Sequence, residues 1–527
     1  MPSSKSNLLQ AQPALAGDES LGVWAGAYRA LVLPLSALLF LFQTWLFKGF
    51  IIDDAYITFR FAQQFVGGNG LVYNPGERVE GYSNFLWLML LVPFELAGLD
   101  LALVAKVLGI LFSLLALAVT WRFSRLLSRR RGFQVIPPLL LAATASFGVW
   151  SVGGLETPLF TFLLTLSLFL FVREEREPIR PALSGVVFAL LALARPEGLF
   201  FFGVVAAYRV FILWRGQERL ARRDLARVLG FAAIFAPYFV WRFSYYGFLL
   251  PNTVYAKSLG LHPRALLEGV IYLYDLVRAA GGVVTVGLAV ILSLTHRRGR
   301  DAALVINVLL AGYVVFILLG GGDWMPVLRF GVHILPLLYL LVQLGFERLY
   351  ALLGGARWAA VTVVVLLLGQ VGYLLGASFE QRFVEGLGAG PLVPAEAPLV
   401  SYLAGQVKAG DTLAVVSAGR IAYAMPLDIR VIDMVGLTDG HIAHLPVQLP
   451  GGILGRGDGF GKWDVDYVLA QQPRFVQMTL RGQDAGGLWQ TNFTGTARLA
   501  NDPRFRARYR LVTAPGVFGL FERLEAQ

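Results

Sequence analysis

The sequence predicts a polytopic α-helical membrane protein with a C-terminal α/β domain. Three observations carry that prediction. Of 527 residues, 56% are apolar and only 15% charged, against about 25% charge in an ordinary soluble chain. Mean hydropathy is +0.63. Up to residue 379 the chain is a succession of apolar runs, several long enough for the roughly 17–25 residues of a helical crossing, whereas beyond 380 short strand-like and helical stretches alternate. A formal net charge of +11 would suit nucleic acid in a soluble protein. Here the excess Arg belongs to cytoplasmic loops, and no nucleic-acid partner is expected. The chain has no cysteine, which excludes disulfides, thiolate metal sites, iron–sulfur clusters and a Cys nucleophile.

Residues 1–28 are polar, rich in Ser, Ala and Gln, and read as a disordered cytoplasmic leader. The following segment is too long for a signal peptide and lacks a small-residue cleavage site, so 30–50 is the first span. Further spans are expected at 101–121, 133–150, 157–172, 181–194, 197–214, 228–243, 281–295, 302–319, 328–346 and 357–377. Residues 85–98 are apolar but interrupted by Pro93 and Glu95, too short a run to cross. They are expected to form a non-spanning helix within a first outer loop over 51–100. Arg-rich loops at 122–131, 173–180, 215–227 and 297–300 are cytoplasmic by the positive-inside rule. With about eleven transmembrane helices the N-terminus is inside, 29–379 is the membrane module, and 380–527 is an extracytoplasmic domain. In that domain, strands are expected at Thr412–Ser417, Arg430–Val435 and Arg474–Met478, a helix near Val465–Gln472, and a hairpin of Tyr509–Thr513 with Val517–Arg523 around Pro515-Gly516.

The polar, sequence-rich turns all fall on the outer face, which places the chemistry there. Asp53 and Asp54 leave the first span at the interface, where an ionised carboxylate is costly unless partnered or wet. One of them can take a proton from an acceptor hydroxyl. Its neighbour can orient it, ligate a divalent cation through oxygen or raise its pKa; equally, the pair can cap the following helix. The cations Arg195, Lys257 and Arg329 stand at outer span ends, suited to binding an anion or to snorkelling toward headgroups, with Arg60 and Arg78 as first-loop alternatives. Glu80, Tyr82, Asn84, Glu156, Asn252 and Tyr255 are candidate substrate-binding groups. So are Asp323, set among Gly320–Gly322, and Trp324, whose ring could stack on a sugar. The five His show no zinc spacing; no cofactor is demanded, and the sequence leaves a divalent cation at the Asp pair open.

The first loop resembles that of GT-C fold glycosyltransferases using polyprenyl-phosphate sugars. It is most similar to the terminal arabinofuranosyltransferases of the mycobacterial cell wall and the related pilin arabinosyltransferases. The resemblance rests on Asp53-Asp54-Ala55-Tyr56 and on the run 69–84, Asn-Gly-Leu-Val-Tyr-Asn-Pro-Gly-Glu-Arg-Val-Glu-Gly-Tyr-Ser-Asn. It extends to Gly153–Pro158, Arg195–Gly198, Tyr245–Gly247, Leu250–Lys257, Gly321–Pro326, Arg329-Phe330, Ser417–Tyr423 and Val431–Leu437. It implies a bacterial inner-membrane glycosyltransferase that moves a sugar, D-arabinofuranose by family likeness alone, from a polyprenyl-phosphate donor whose departing phosphate would be met by Arg195, Lys257 and Arg329. The acceptor would be an exported glycan, a lipid-linked glycan or a pilin-like protein. A transporter or flippase for lipid-linked sugar is the alternative; such proteins carry inverted repeats and midplane polar groups, and no internal symmetry is seen in the sequence.

Overall fold

The computed structural model describes residues 22–177, 182–216, 220–257, 263–296, 300–323, 325–386, 397–448 and 461–524. The leader assigned to 1–28 falls largely outside them, and the first helix, Gly22–Leu46, already begins within that assigned stretch. Trp324 is outside the described residues.

Helices occupy the apolar runs as expected. Among the described residues, seven are long and apolar enough to cross a bilayer: Leu101–Leu127, Thr157–Arg176, Glu197–Trp214, Arg222–Tyr246, Asp301–Gly320, Arg329–Leu352 and Arg357–Glu380. An eighth crossing forms if the bent pair Arg131–Ala143 and Ala145–Ser151 acts as one span, with a 59° break at Thr144. The Thr144 hydroxyl bonds the carbonyl of Leu140 (2.7 Å) and the hydroxyl of Tyr339 (2.7 Å), tying the break to a neighbouring helix. Two of the eleven expected spans are short helices, Ser184–Ala194 and Val283–Ser293. At 1.5 Å per residue, 11 residues rise about 16 Å, half a hydrocarbon core. Apolar composition sets burial in either solvent, and only packing sets length. Arg329–Leu352 is the central strut, with 94% of its apolar window buried by protein. It packs against 101–127, 157–176, Ile136–Ala143 and Val283–Ser293.

Helix Phe85–Leu96 has 12 residues, fewer than a helical crossing requires. Helix Pro263–Ala279 was not anticipated. It buries Tyr272 and Leu276 while exposing Leu266, Leu267, Val270, Ile271 and Tyr274, so its two apolar stripes blur the helical period in sequence.

The C-terminal domain contains β1 (Thr412–Val415), β2 (Arg430–Asp433), β3 (Phe475–Gln477), β4 (Leu480–Gln483), β5 (Trp489–Thr491), β6 (Tyr509–Leu511) and β7 (Leu520–Arg523). The main sheet runs β2-β1-β3-β7-β6. β1 is parallel to β2 and β3, and β7 is antiparallel to β3 and β6. The expected strands and closing hairpin are therefore present, and β4–β5 forms a separate small hairpin.

This domain is bolted to the membrane module by the first loop. The Arg60 guanidinium, fully buried in helix Asp53–Val66, donates to the carbonyls of Ala422 (2.7 Å), Met425 (3.0 Å), Pro426 (3.3 Å) and Ile429 (3.1 Å). Asn74 pairs with edge strand β2 as another strand would, its side chain accepting from Val431 N and donating to Val431 O, both at 2.9 Å. The Tyr73 hydroxyl donates to Ala418 O (2.5 Å). One hydrophobic core runs continuously from the helices into this domain.

Candidate active site

Helix Asp53–Val66 opens with two carboxylates in its first turn, where the helix dipole favours negative charge. Their side chains part company. Asp53 accepts from the backbone N–H of Gly419 (2.9 Å) and of Arg420 (2.7 Å) in the C-terminal domain. Gly419 is required there: a Cβ would lie 1.8 Å from Asp53 O. Asp54 instead lines a cavity with Thr58, Gly81, Tyr82, Ser83, Asn84, Leu155, Glu156, Arg195, Thr253, Lys257, Arg329 and Leu437. The turn after Ser151 seats it. Ile52 N donates to Gly153 O (3.2 Å), and Gly154, at φ +84°, brings its backbone so close that a Cβ would meet Ala55 at 2.8 Å.

Seven of the expected site residues thus converge: Asp54, Tyr82, Asn84, Glu156, Arg195, Lys257 and Arg329. Arg195 is held on two sides, by Glu156 and, through Nη2 and Nε, by Glu197 (2.6 and 3.2 Å). Glu156 also accepts from Asn84 (2.8 Å), whose amide reaches Thr58 (3.1 Å). Arg329 is bidentate to Asp323, Nε at 2.7 Å and Nη2 at 3.2 Å, so Asp323 positions a cation and does not line the cavity. Burial raises the Asp54 carboxyl from 3.8 to about 6, against the pull of Lys257. Burial, with Arg329 nearby, lowers the Lys257 ammonium.

Of the remaining candidates, Glu80, Asn252 and Tyr255 lie outside the cavity. Glu80 ion-pairs with Arg242 (2.5 Å), and burial pushes its carboxyl up to about 7. Asn252 donates to the carbonyls of Gly436 and Leu437, both at 3.0 Å, and is a strut to the C-terminal domain. The ring of Tyr255 packs on His444 (4.5 Å). Tyr82 lines the cavity wall, but its hydroxyl bonds Tyr246 (3.0 Å). The first-loop cations are engaged elsewhere: Arg60 in the domain bolt, and Arg78 over the Tyr245 ring (4.8 Å). Thr253 and Leu437 were missed. Thr253 sits inside the motif that supplied Asn252, and Leu437 reaches the cavity only because the C-terminal domain folds back over it. Among the described residues no group of three or more His, Asp or Glu is arranged to hold a metal ion.

The architecture is shared with a solved structure, ArnT from Cupriavidus metallidurans bound to undecaprenyl phosphate. The TM-score is 0.55 at 15% identity, covering 79% of this chain and 87% of that one. The fold is therefore of the GT-C class, in a multi-pass membrane protein. In sequence, the chain is similar to the terminal β-(1→2)-arabinofuranosyltransferase of Mycobacterium tuberculosis, 29% identical over 239 residues. It is also similar to the enzyme of that name from Corynebacterium glutamicum, 24% identical over 249 residues. Each alignment covers 42% of this chain but only 37% and 35% of the relative, little more than a third of its length. A family model described as a domain of unknown function, DUF8728, matches residues 393–522.

Proposed function

We propose that this protein is an integral-membrane glycosyltransferase. It moves a sugar, D-arabinofuranose, from a polyprenyl-phosphate donor to an exported glycan on the extracytoplasmic face of a bacterial inner membrane. The observation that carries the reading is one cavity in which Asp54 faces Arg195, Lys257 and Arg329. The arabinofuranosyltransferase activity for which the two sequence relatives are named and the lipid phosphate bound to ArnT agree with it. By the positive-inside rule, the Arg-rich loops support an extracytoplasmic orientation of the cavity.

Asp54 is the base. As the acceptor oxygen bonds the anomeric carbon, its proton passes to Asp54, and the bond from that carbon to the phosphate oxygen breaks. The polyprenyl phosphate leaves with the electron pair. Cations already fixed in place stabilise the charge that develops there without reorganising. Glu156 is engaged by Arg195 and Asn84, so a single displacement with inversion fits better than a covalent double displacement, which needs a second carboxylate as nucleophile.

The test follows release of polyprenyl phosphate from radiolabelled arabinofuranosyl and hexosyl donors, using detergent-purified full chain and an oligosaccharide acceptor. Acceptor-dependent release from the arabinofuranosyl donor is expected. Release from a hexosyl donor alone overturns the sugar assignment. No release from any donor, by protein that still binds polyprenyl phosphate, overturns the transferase reading.

A further inference from the structure

The catalytic helix has a second face. Asp54, Ile57 and Thr58 line the active cavity, whereas Gln63, Val66 and Gly67 line a separate groove. Asp54 and Gln63 are nine positions apart, about 13 Å along the helix axis and half a turn around it, so the groove lies behind the active cavity. Its other walls are Glu95 at the end of the non-spanning helix and Ala404 with Tyr423–Leu427 of the C-terminal domain. Its volume is about 510 Å³, within the usual range for small-ligand sites.

The lining specifies the occupant. The Tyr423 ring is held by Tyr56 and Phe59, at centroid distances of 5.5 and 5.8 Å. Tyr56 is itself fixed by the Arg420 guanidinium stacked 4.9 Å from its ring. The result is a rigid, half-buried aromatic platform. Beside it, the Gln63 side chain brings an amide to the groove wall, a group that can both donate to and accept from hydroxyls. Glu95 adds a carboxylate, and no Lys or Arg lines the groove, which disfavours an anion. An acyl chain would lie against the Glu95 carboxylate and the Gln63 amide and pair with neither. A sugar ring satisfies both demands, with its apolar face on Tyr423 and its hydroxyls on Gln63 and Glu95.

We infer that this groove is a second, non-catalytic saccharide-binding site that holds a distal segment of the acceptor glycan while its end reaches Asp54. The inference rests on the transferase reading for its role in turnover, but not for binding itself.

Two measurements separate the two. Binding of a long oligoarabinofuranoside is measured by calorimetry on full-length Asp54→Asn protein, alone and combined with Gln63→Ala, Glu95→Gln or Ala404→Trp. The last variant fills the groove without removing a polar group. Transfer kinetics are then compared for the long acceptor and a monosaccharide acceptor. Gln63→Ala and Glu95→Gln are each expected to weaken long-acceptor binding and raise its KM about tenfold, the loss of one or two hydrogen bonds, and Ala404→Trp is expected to do so at least as strongly by filling the groove. The monosaccharide KM and kcat should stay unchanged. Equal losses for both acceptors, or no loss in any variant that keeps the wild-type melting temperature, overturn the inference. So does a change confined to co-purified lipid. If the long saccharide binds in the groove but no donor is ever consumed, the transferase reading has failed and the binding site stands.

Discussion

Replacing Asp54 by Asn removes the proposed base while keeping its size and leaving the Asp53 clasp untouched. A positioned general base contributes about 10²–10⁴ in rate, so kcat should fall by that factor with donor KM little changed. Wild-type behaviour with pH follows from the same burial. A carboxyl raised from 3.8 to about 6 is only about one-tenth ionised at pH 5, whereas an unshifted one would be more than about nine-tenths ionised. The acid limb of kcat/KM should therefore lie near pH 6 and vanish in the residual activity of the Asn variant. Stability carries the opposite sign. The folded carboxyl holds its proton to higher pH than the unfolded one, so the native state is favoured below 3.8 and loses that advantage as pH rises through about 6. Two pKa units correspond to about 3 kcal/mol, a ceiling because the cavity admits water. Asp54→Asn should thus melt higher than wild type at pH 7.5 and equally at pH 4, by scanning fluorimetry in detergent. An acid limb near pH 4, or a variant keeping more than about a tenth of wild-type kcat, would refute the assignment.

Other perturbations test the frame around that carboxylate. Gly419→Ala forces a Cβ to within 1.8 Å of Asp53 O; overpacking of this kind costs about 1–3 kcal/mol, and both faster proteolysis of the C-terminal domain and reduced transfer are expected. Arg60→Met strands the carbonyls of Ala422, Met425, Pro426 and Ile429 and should cost about 3–5 kcal/mol; an unchanged melting temperature would contradict its role as the domain bolt. Arg329→Gln removes a cavity cation and leaves Asp323 unpaired, so donor KM should rise at least about tenfold, with partial recovery in Arg329→Lys measured by polyprenyl phosphate release. Asp53→Ala should loosen the C-terminal domain under limited proteolysis while the acid limb of any remaining activity stays near pH 6.

Much of this protein could be read from residue order alone. Apolar runs marked the helices, because burial in lipid or protein selects the same side chains. Short alternating stretches marked the strands, and closely spaced polar motifs marked Asp54, Asn84, Glu156, Arg195, Lys257 and Arg329 as one chemical group. Tertiary structure decided what those groups do. Asp53 and Asp54 are adjacent and chemically identical, but helical rotation aims one at the backbone of Gly419 and the other into the cavity. Arg60 looks like a phosphate ligand in sequence, and it becomes a bolt because the carbonyls it serves lie more than 360 residues away. Asn252 follows the same pattern, its partners being set by how the C-terminal domain packs against it. Residue type, local period and spacing are properties of the chain and were legible in it. The partner of a polar side chain is a property of long-range packing, and only the folded structure assigns it.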